Sequence, residues 1–125
     1  MRFLSALLGN AGAVSVEELK QKYGKLIAES EEVVLGFKLI RDTFLFTNKR
    51  LILIEVQGIT GSKVEYRSIL YKHISRFSIE SAGTFDLDAE LKIWVSSESQ
   101  PSVRAKFSKS VDVYQVQQLL ALYCG

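Results

Sequence analysis

The chain predicts a mainly β (α+β) fold: about seven antiparallel strands in a bent, barrel-like sheet, a helical segment before them and a C-terminal helix against them. Three observations carry this expectation. From Val33 onward apolar residues recur with period two. Residues 44–56 read Phe-Leu-Phe-Thr-Asn-Lys-Arg-Leu-Ile-Leu-Ile-Glu-Val, two β-rich runs joined by a tight polar turn. Val113, Val116, Leu120 and Tyr123 then return at i, i+3, i+7 and i+10, the spacing of a helix face. Strands linked by short turns curl or close to hide their edges, and an amphipathic terminal helix can plug an open end.

The elements follow in order. Phe3, Leu4, Leu7 and Leu8 share one face of a short helix, and their apolar run is shorter than the ~7 to 15 residues of a secretory h-region, so a retained helix is expected. Ser15 with Glu18 three residues on forms a capping-box signal for a second helix, and Gly24 is a plausible stop. Val33, Leu35, Phe37 and Leu39 alternate along a first strand, which turns at Arg41 and Asp42 into the hairpin of residues 44–56. Asn48 is the residue expected to take the positive φ of a two-residue turn there. Gly58 and Gly61 punctuate the way to strands at 63–71 and 74–81. Leu87, Ala89, Leu91, Ile93 and Val95 form the cleanest alternation, 96–101 a polar loop, and Val103, Ala105 and Phe107 a last strand. Ser110 or Asp112 would cap the final helix.

Composition sets the bounds. The 125 residues are 47% apolar and 24% charged, which suits one folded domain with one core. Sixteen Lys and Arg against fourteen Asp and Glu leave +2, scattered along the chain, so no nucleic-acid footprint is expected. The single cysteine, Cys124, permits neither an intramolecular disulfide nor a thiolate zinc site, and a reducing cytoplasm fits best. No stretch reaches the roughly 18 apolar residues of a membrane span.

Three strings resemble the bacterial pleckstrin-homology (PH-like) domains, in particular the small stand-alone group once carried as a domain of unknown function. They are residues 46–53, Phe-Thr-Asn-Lys-Arg-Leu-Ile-Leu; 68–77, Ser-Ile-Leu-Tyr-Lys-His-Ile-Ser-Arg-Phe; and 85–94, Phe-Asp-Leu-Asp-Ala-Glu-Leu-Lys-Ile-Trp. The family often has proline before the tyrosine of the second string, where this chain has Leu70. The resemblance spans about residues 19–123. It implies a seven-stranded bent sheet closed by the C-terminal helix, with residues 1–30 as a helical extension and 31–125 as the PH-like module. It also implies ring-like homo-oligomers. It supplies no activity, because one fold hosts many functions.

The chemistry-bearing residues do not assemble a catalytic or metal set. His73 has no second His or Cys to share a metal and reads as a strand-end residue. Asp86, Asp88 and Glu90 at i, i+2 and i+4 lack the glycine and distant glutamate of a calcium loop and read as a solvated sheet face that Lys92 continues. Gly58-Ile-Thr-Gly61 resembles an RNA-clamping loop but joins two strands, so it reads as a hairpin turn. No cofactor is expected. Lys38, Arg41, Lys49 and Arg50 form a candidate anionic-ligand set, diluted by Asp42 in the first turn. Trp94 falls on the outward face of its strand, and residues 51–54 are apolar on both faces, which requires a second cover. Trp94, Ile52, Ile54, Phe3 and Leu7 are therefore the candidate oligomer interface. The leading expectation is a non-enzymatic module that self-associates as a scaffold or adaptor, with another protein or peptide as a further partner. The alternative is peripheral binding to a membrane surface or anionic headgroup, and an enzyme ranks last.

Overall fold

The computed structural model describes residues 14–39, 41–81, 89–107 and 111–125. The order is α1 (Val16–Tyr23), a 3-10 turn (Gly24–Leu26), β1 (Val33–Lys38), β2 (Thr43–Thr47), β3 (Arg50–Gln57), β4 (Lys63–Leu70), a second 3-10 turn (Tyr71–His73), β5 (Ile74–Ser81), β6 (Ala89–Val95), β7 (Val103–Phe107) and α2 (Val113–Cys124). The seven strands make two antiparallel sheets, β1-β2-β3-β4 and β5-β6-β7, and no strand pairing between them closes a barrel among the described residues. Phe3, Leu4, Leu7, Leu8, Asp86, Asp88 and Ser110 lie outside the described residues.

Local chemistry fixes the ends. Ser15 Oγ accepts a hydrogen bond from the Glu18 amide at 3.1 Å, the N-cap expected for α1. Asp112, not Ser110, caps α2, its carboxylate accepting from the Tyr114 and Gln115 amides. Gly58 and Gly61 carry φ of 82° and 72°, which glycine adopts without steric cost in the β3–β4 turn. Asn48 does not take the positive φ expected of it; Ser96 is the non-glycine residue with positive φ among those described. The β2–β3 turn is held instead by the Thr47 hydroxyl, which accepts from the Lys49 and Arg50 amides at 3.0 Å each. Asn48 is free to pin the chain before β1: its Oδ1 accepts from the Glu32 amide and its own amide donates to the Glu32 carbonyl.

The main core fills the space between the two sheets and α2. Phe37 sits at its centre, stacked on Phe44 at 5.0 Å and edge-on to Phe107 at 4.4 Å. Leu51, Leu53, Leu91, Ile93, Val116 and Leu120 join it, each 2% exposed or less. The Tyr71 hydroxyl donates to the Thr47 carbonyl at 2.6 Å while its ring stacks on Tyr123, which ties β2 to α2. Burial pushes that hydroxyl far above the ordinary tyrosine range.

A second, smaller core explains the two-sided apolar strand. The odd residues of β3 face the main core, while Ile52 and Ile54 face outward and are sealed by α1. Leu19 of α1 is 2% exposed over Leu45, Ile52, Ile54 and Val33, with Val16, Tyr23, Leu26 and Ile27 at the margin. Gly36 permits the approach, because a Cβ there would collide with the Leu19 side chain and press on the Phe44 carbonyl.

Candidate functional site

The four basic residues proposed for an anion do not converge. Lys38 and Arg41 flank the β1–β2 turn, whereas Lys49 and Arg50 sit at the β2–β3 turn, the other end of the same sheet. The intervening β2 spans about 13 Å at the usual strand rise. Arg50 is also fully committed inside the fold. Its Nε and Nη2 form a two-point pair with Glu31 at 2.9 and 3.0 Å, Nη2 also donates to the Leu26 carbonyl at 2.7 Å, and Nη1 donates to Ser68 Oγ at 2.8 Å. Lys49 is exposed on the turn. Arg41 donates through Nη2 to the Gly58 carbonyl, which docks the first turn on the β3–β4 turn. Exposed Lys38 and Lys63 lie at that end as well.

Glu31 is the buried acid that sequence reasoning passed over. Its side chain is 2% exposed and accepts from Arg50 twice, from the Thr47 hydroxyl at 2.5 Å and from the Ala28 amide at 3.0 Å. The Arg50 guanidinium, against the opposing effect of burial, holds the Glu31 carboxyl at about 2, well below its ordinary 4.5. Nothing in the run Glu-Ser-Glu-Glu at residues 29–32 distinguishes this glutamate, since its partners come from 16 and 19 residues away. The arrangement is a structural clasp between the segment before β1 and the β2–β3 turn.

The proposed interface residues divide. Ile52 and Ile54 are 1% and 3% exposed beneath α1, so the cover that the sequence demanded is the chain's own helix and not a second copy. Trp94 is half-buried: its indole N–H donates to the Ser99 carbonyl at 3.3 Å and the Arg76 guanidinium lies 4.4 Å from its ring. The rest of that face is a ladder of charges, with Lys92 on Glu80 at 3.2 Å and Arg104 on Glu90 at 3.4 Å, the solvated surface expected for Glu90 and Lys92. His73 is exposed in its 3-10 turn, and its carbonyl accepts from the Ser96 amide. No group of three or more His, Cys, Asp or Glu side chains that could hold a metal ion occurs among the described residues. No helix among them is long and apolar enough to cross a membrane.

Among the described residues, two apolar surfaces are left uncovered. On β4, Val64, Tyr66 and Leu70 are 41%, 51% and 42% exposed on the same outer face as Ile52 and Ile54, just beyond the reach of α1. No strand pairs with the far side of β4 among the described residues. The second surface is a shallow groove of about 200 Å³ between β1 and α2, lined by Val34, Leu35, Gln115, Gln118, Leu119, Leu122 and Tyr123. Val64, Tyr66 and Leu70 at even spacing, and Leu119 and Leu122 beyond the face of Val116 and Leu120, are the sequence features that could have pointed to these surfaces. Neither says which apolar face the fold leaves open.

A four-stranded sheet packed on a three-stranded one, with a C-terminal helix filling the gap between them, defines a PH-like domain. The chain belongs to the bacterial PH domain family, whose model matches residues 2–124. It is similar to the uncharacterized protein YjqA of Bacillus subtilis (strain 168), 49% identical over 124 residues that cover 99% of each chain. Among solved structures it resembles a DUF1696 family protein with a pleckstrin-homology domain from Shewanella loihica PV-4, 46% identical with a TM-score of 0.83, covering 94% of this chain and 99% of that one. A pleckstrin homology domain from Shewanella amazonensis SB2B is 44% identical with a TM-score of 0.74, covering 94% of each chain.

Proposed function

We propose that this chain is a non-enzymatic PH-like assembly module that self-associates into a ring-like homo-oligomer and serves as a scaffold or adaptor. The observation that carries the reading is β4: a sheet-edge strand with Val64, Tyr66 and Leu70 exposed along one face. Edge strands offer unpaired backbone groups, and exposed apolar rows beside them mark association surfaces. Tyrosine at the centre of such a row is a residue type enriched in interfaces. A patch of this kind that meets a different surface on the next copy produces a closed ring when the rotation closes. The test is Tyr66→Glu with Val64→Glu, read by native mass and circular dichroism. Smaller species with an unchanged spectrum are expected; retention of the parent mass would remove β4 from the interface.

A second reading, peripheral binding of an anionic headgroup, is favoured by the clustering of Lys38, Arg41 and Lys63 at the end of the sheet where the β1–β2 and β3–β4 turns meet. Co-sedimentation with vesicles containing anionic phospholipid at low salt, abolished by Lys38→Glu with Lys63→Glu, is its signature. Equal partitioning of parent and variant would dismiss it.

A further inference from the structure

We propose that the β4 row of one copy seats against the groove between β1 and α2 of the next, with the Tyr66 ring entering it. The inference rests on the self-association reading and names the surface that receives β4. Position comes first. β1 and β4 are the two edges of one four-stranded sheet, about 14 Å apart at the usual strand spacing. A row fixed at one edge does not reach a groove at the other edge of its own chain, so the occupant is a second copy. Each copy can then give at one edge and receive at the other, the head-to-tail arrangement that closes into a ring when the rotation allows.

The two surfaces match in character. Val64, Tyr66, Ser68 and Leu70 share the outer face of β4 without a charge among them. α2 is unusual for a surface helix: residues 113–125 hold no charged side chain, and Tyr114 and Leu122 are 74% and 71% exposed. Depletion of charge with enrichment of tyrosine is the composition of an interface centre. Gln115, Gln118, Leu119 and Leu122 recur at i, i+3, i+4 and i+7, one stripe along the groove. The leucines offer the Tyr66 ring an apolar wall, and either glutamine side chain can pair with the hydroxyl that a buried tyrosine has to satisfy.

The rims carry opposite charge. Exposed Lys63 and Lys72 bracket the β4 row. Exposed Asp112 and Glu32 bracket the groove. Asp112 caps the N-terminal end of α2. Tyr71 stacks on Tyr123 and donates to the carbonyl of Thr47, the register partner of Val33, which brings the other end of α2 beside the start of β1 and hence beside Glu32. None of these four side chains joins an ion pair among the described residues, so all four are available across a contact between copies.

The experiment compares the full-length parent with Tyr66→Glu and Leu122→Glu, both at exposed positions, by native mass with circular dichroism as the check on folding. Each variant alone is expected to be a monomer. Their equimolar mixture is expected to form a dimer and nothing larger, because the intact β4 of the Leu122→Glu chain meets the intact groove of the Tyr66→Glu chain and the other two surfaces are blocked. An oligomeric parent with Leu122→Glu at the parent mass would overturn this contact and leave self-association to another surface, whereas a monomeric parent would overturn both readings. Cross-linking gives a second readout in a Cys124→Ser background. Oxidation of an equimolar mixture of Ser68→Cys and Gln118→Cys chains should yield mixed dimers at least ~tenfold faster than either like pair. A predominance of Ser68→Cys pairs would show β4 meeting β4 and would overturn the proposal.

Discussion

Glu31 places four hydrogen bonds on one buried carboxylate, and two of its three partners, Arg50 and Thr47, belong to the β2–β3 turn. Its folded-state carboxyl titrates at about 2 against an ordinary 4.5, so the folded protein binds this proton less readily than the unfolded chain. The stabilisation is therefore fully present above about pH 4.5 and is lost as pH falls toward 2. At 1.36 kcal/mol per pH unit the difference amounts to about 3 kcal/mol. Glu31→Gln should lower stability at neutral pH and flatten the acid limb of a urea-denaturation series taken between pH 5 and pH 2.5. An unchanged acid limb would show that other carboxylates dominate. Gly36 makes a different demand. Gly36→Ala should cost about 1–3 kcal/mol by overpacking against Leu19, and a drop in the thermal midpoint that Leu19→Ala partly relieves would confirm the contact.

α1 is an element whose helical pattern the sequence displays and whose position it hides. Ser15, Glu18 and the period of its apolar residues announce a helix. That it seals the outer face of β3 depends on Leu19 meeting Ile52 and Ile54 across more than thirty residues of chain, which no local pattern encodes. The requirement was nonetheless visible, because residues 51–54 are apolar on both faces and one strand cannot bury both alone. Ile54→Asp is thus expected to destabilise the fold by about 3–5 kcal/mol and release α1, as seen by amide exchange at Leu19. A stable variant with altered mass would return Ile54 to the list of interface residues. Strand positions, both caps and the glycine turn at Gly58 and Gly61 were legible because each is set by nearby residues. The Glu31–Arg50 pair was not, since its partners lie 19 residues apart and meet only when the segment before β1 docks on the β2–β3 turn. Tyr71 links the scales: Tyr71→Phe removes the bond to the Thr47 carbonyl and should cost about 1–2 kcal/mol, measurable as a shifted denaturation midpoint.

At the scale of the whole molecule, two sheets and α2 enclose a core built around Phe37, and the outer face of the second sheet is satisfied by its own charge ladder. The first sheet is different. Among the described residues its outer face is closed by α1 over β3 and left open over β4, and Val64, Tyr66 and Leu70 are therefore the contact on which the proposed self-association rests. Trp94 is tied to Ser99 and Arg76 within the chain. The measurement that bears on this most directly is the native mass of the parent chain by light scattering at two concentrations, with Tyr66→Glu alongside. Self-association predicts one higher-order species at both concentrations for the parent and a smaller one for the variant. A monomer in every sample would contradict it.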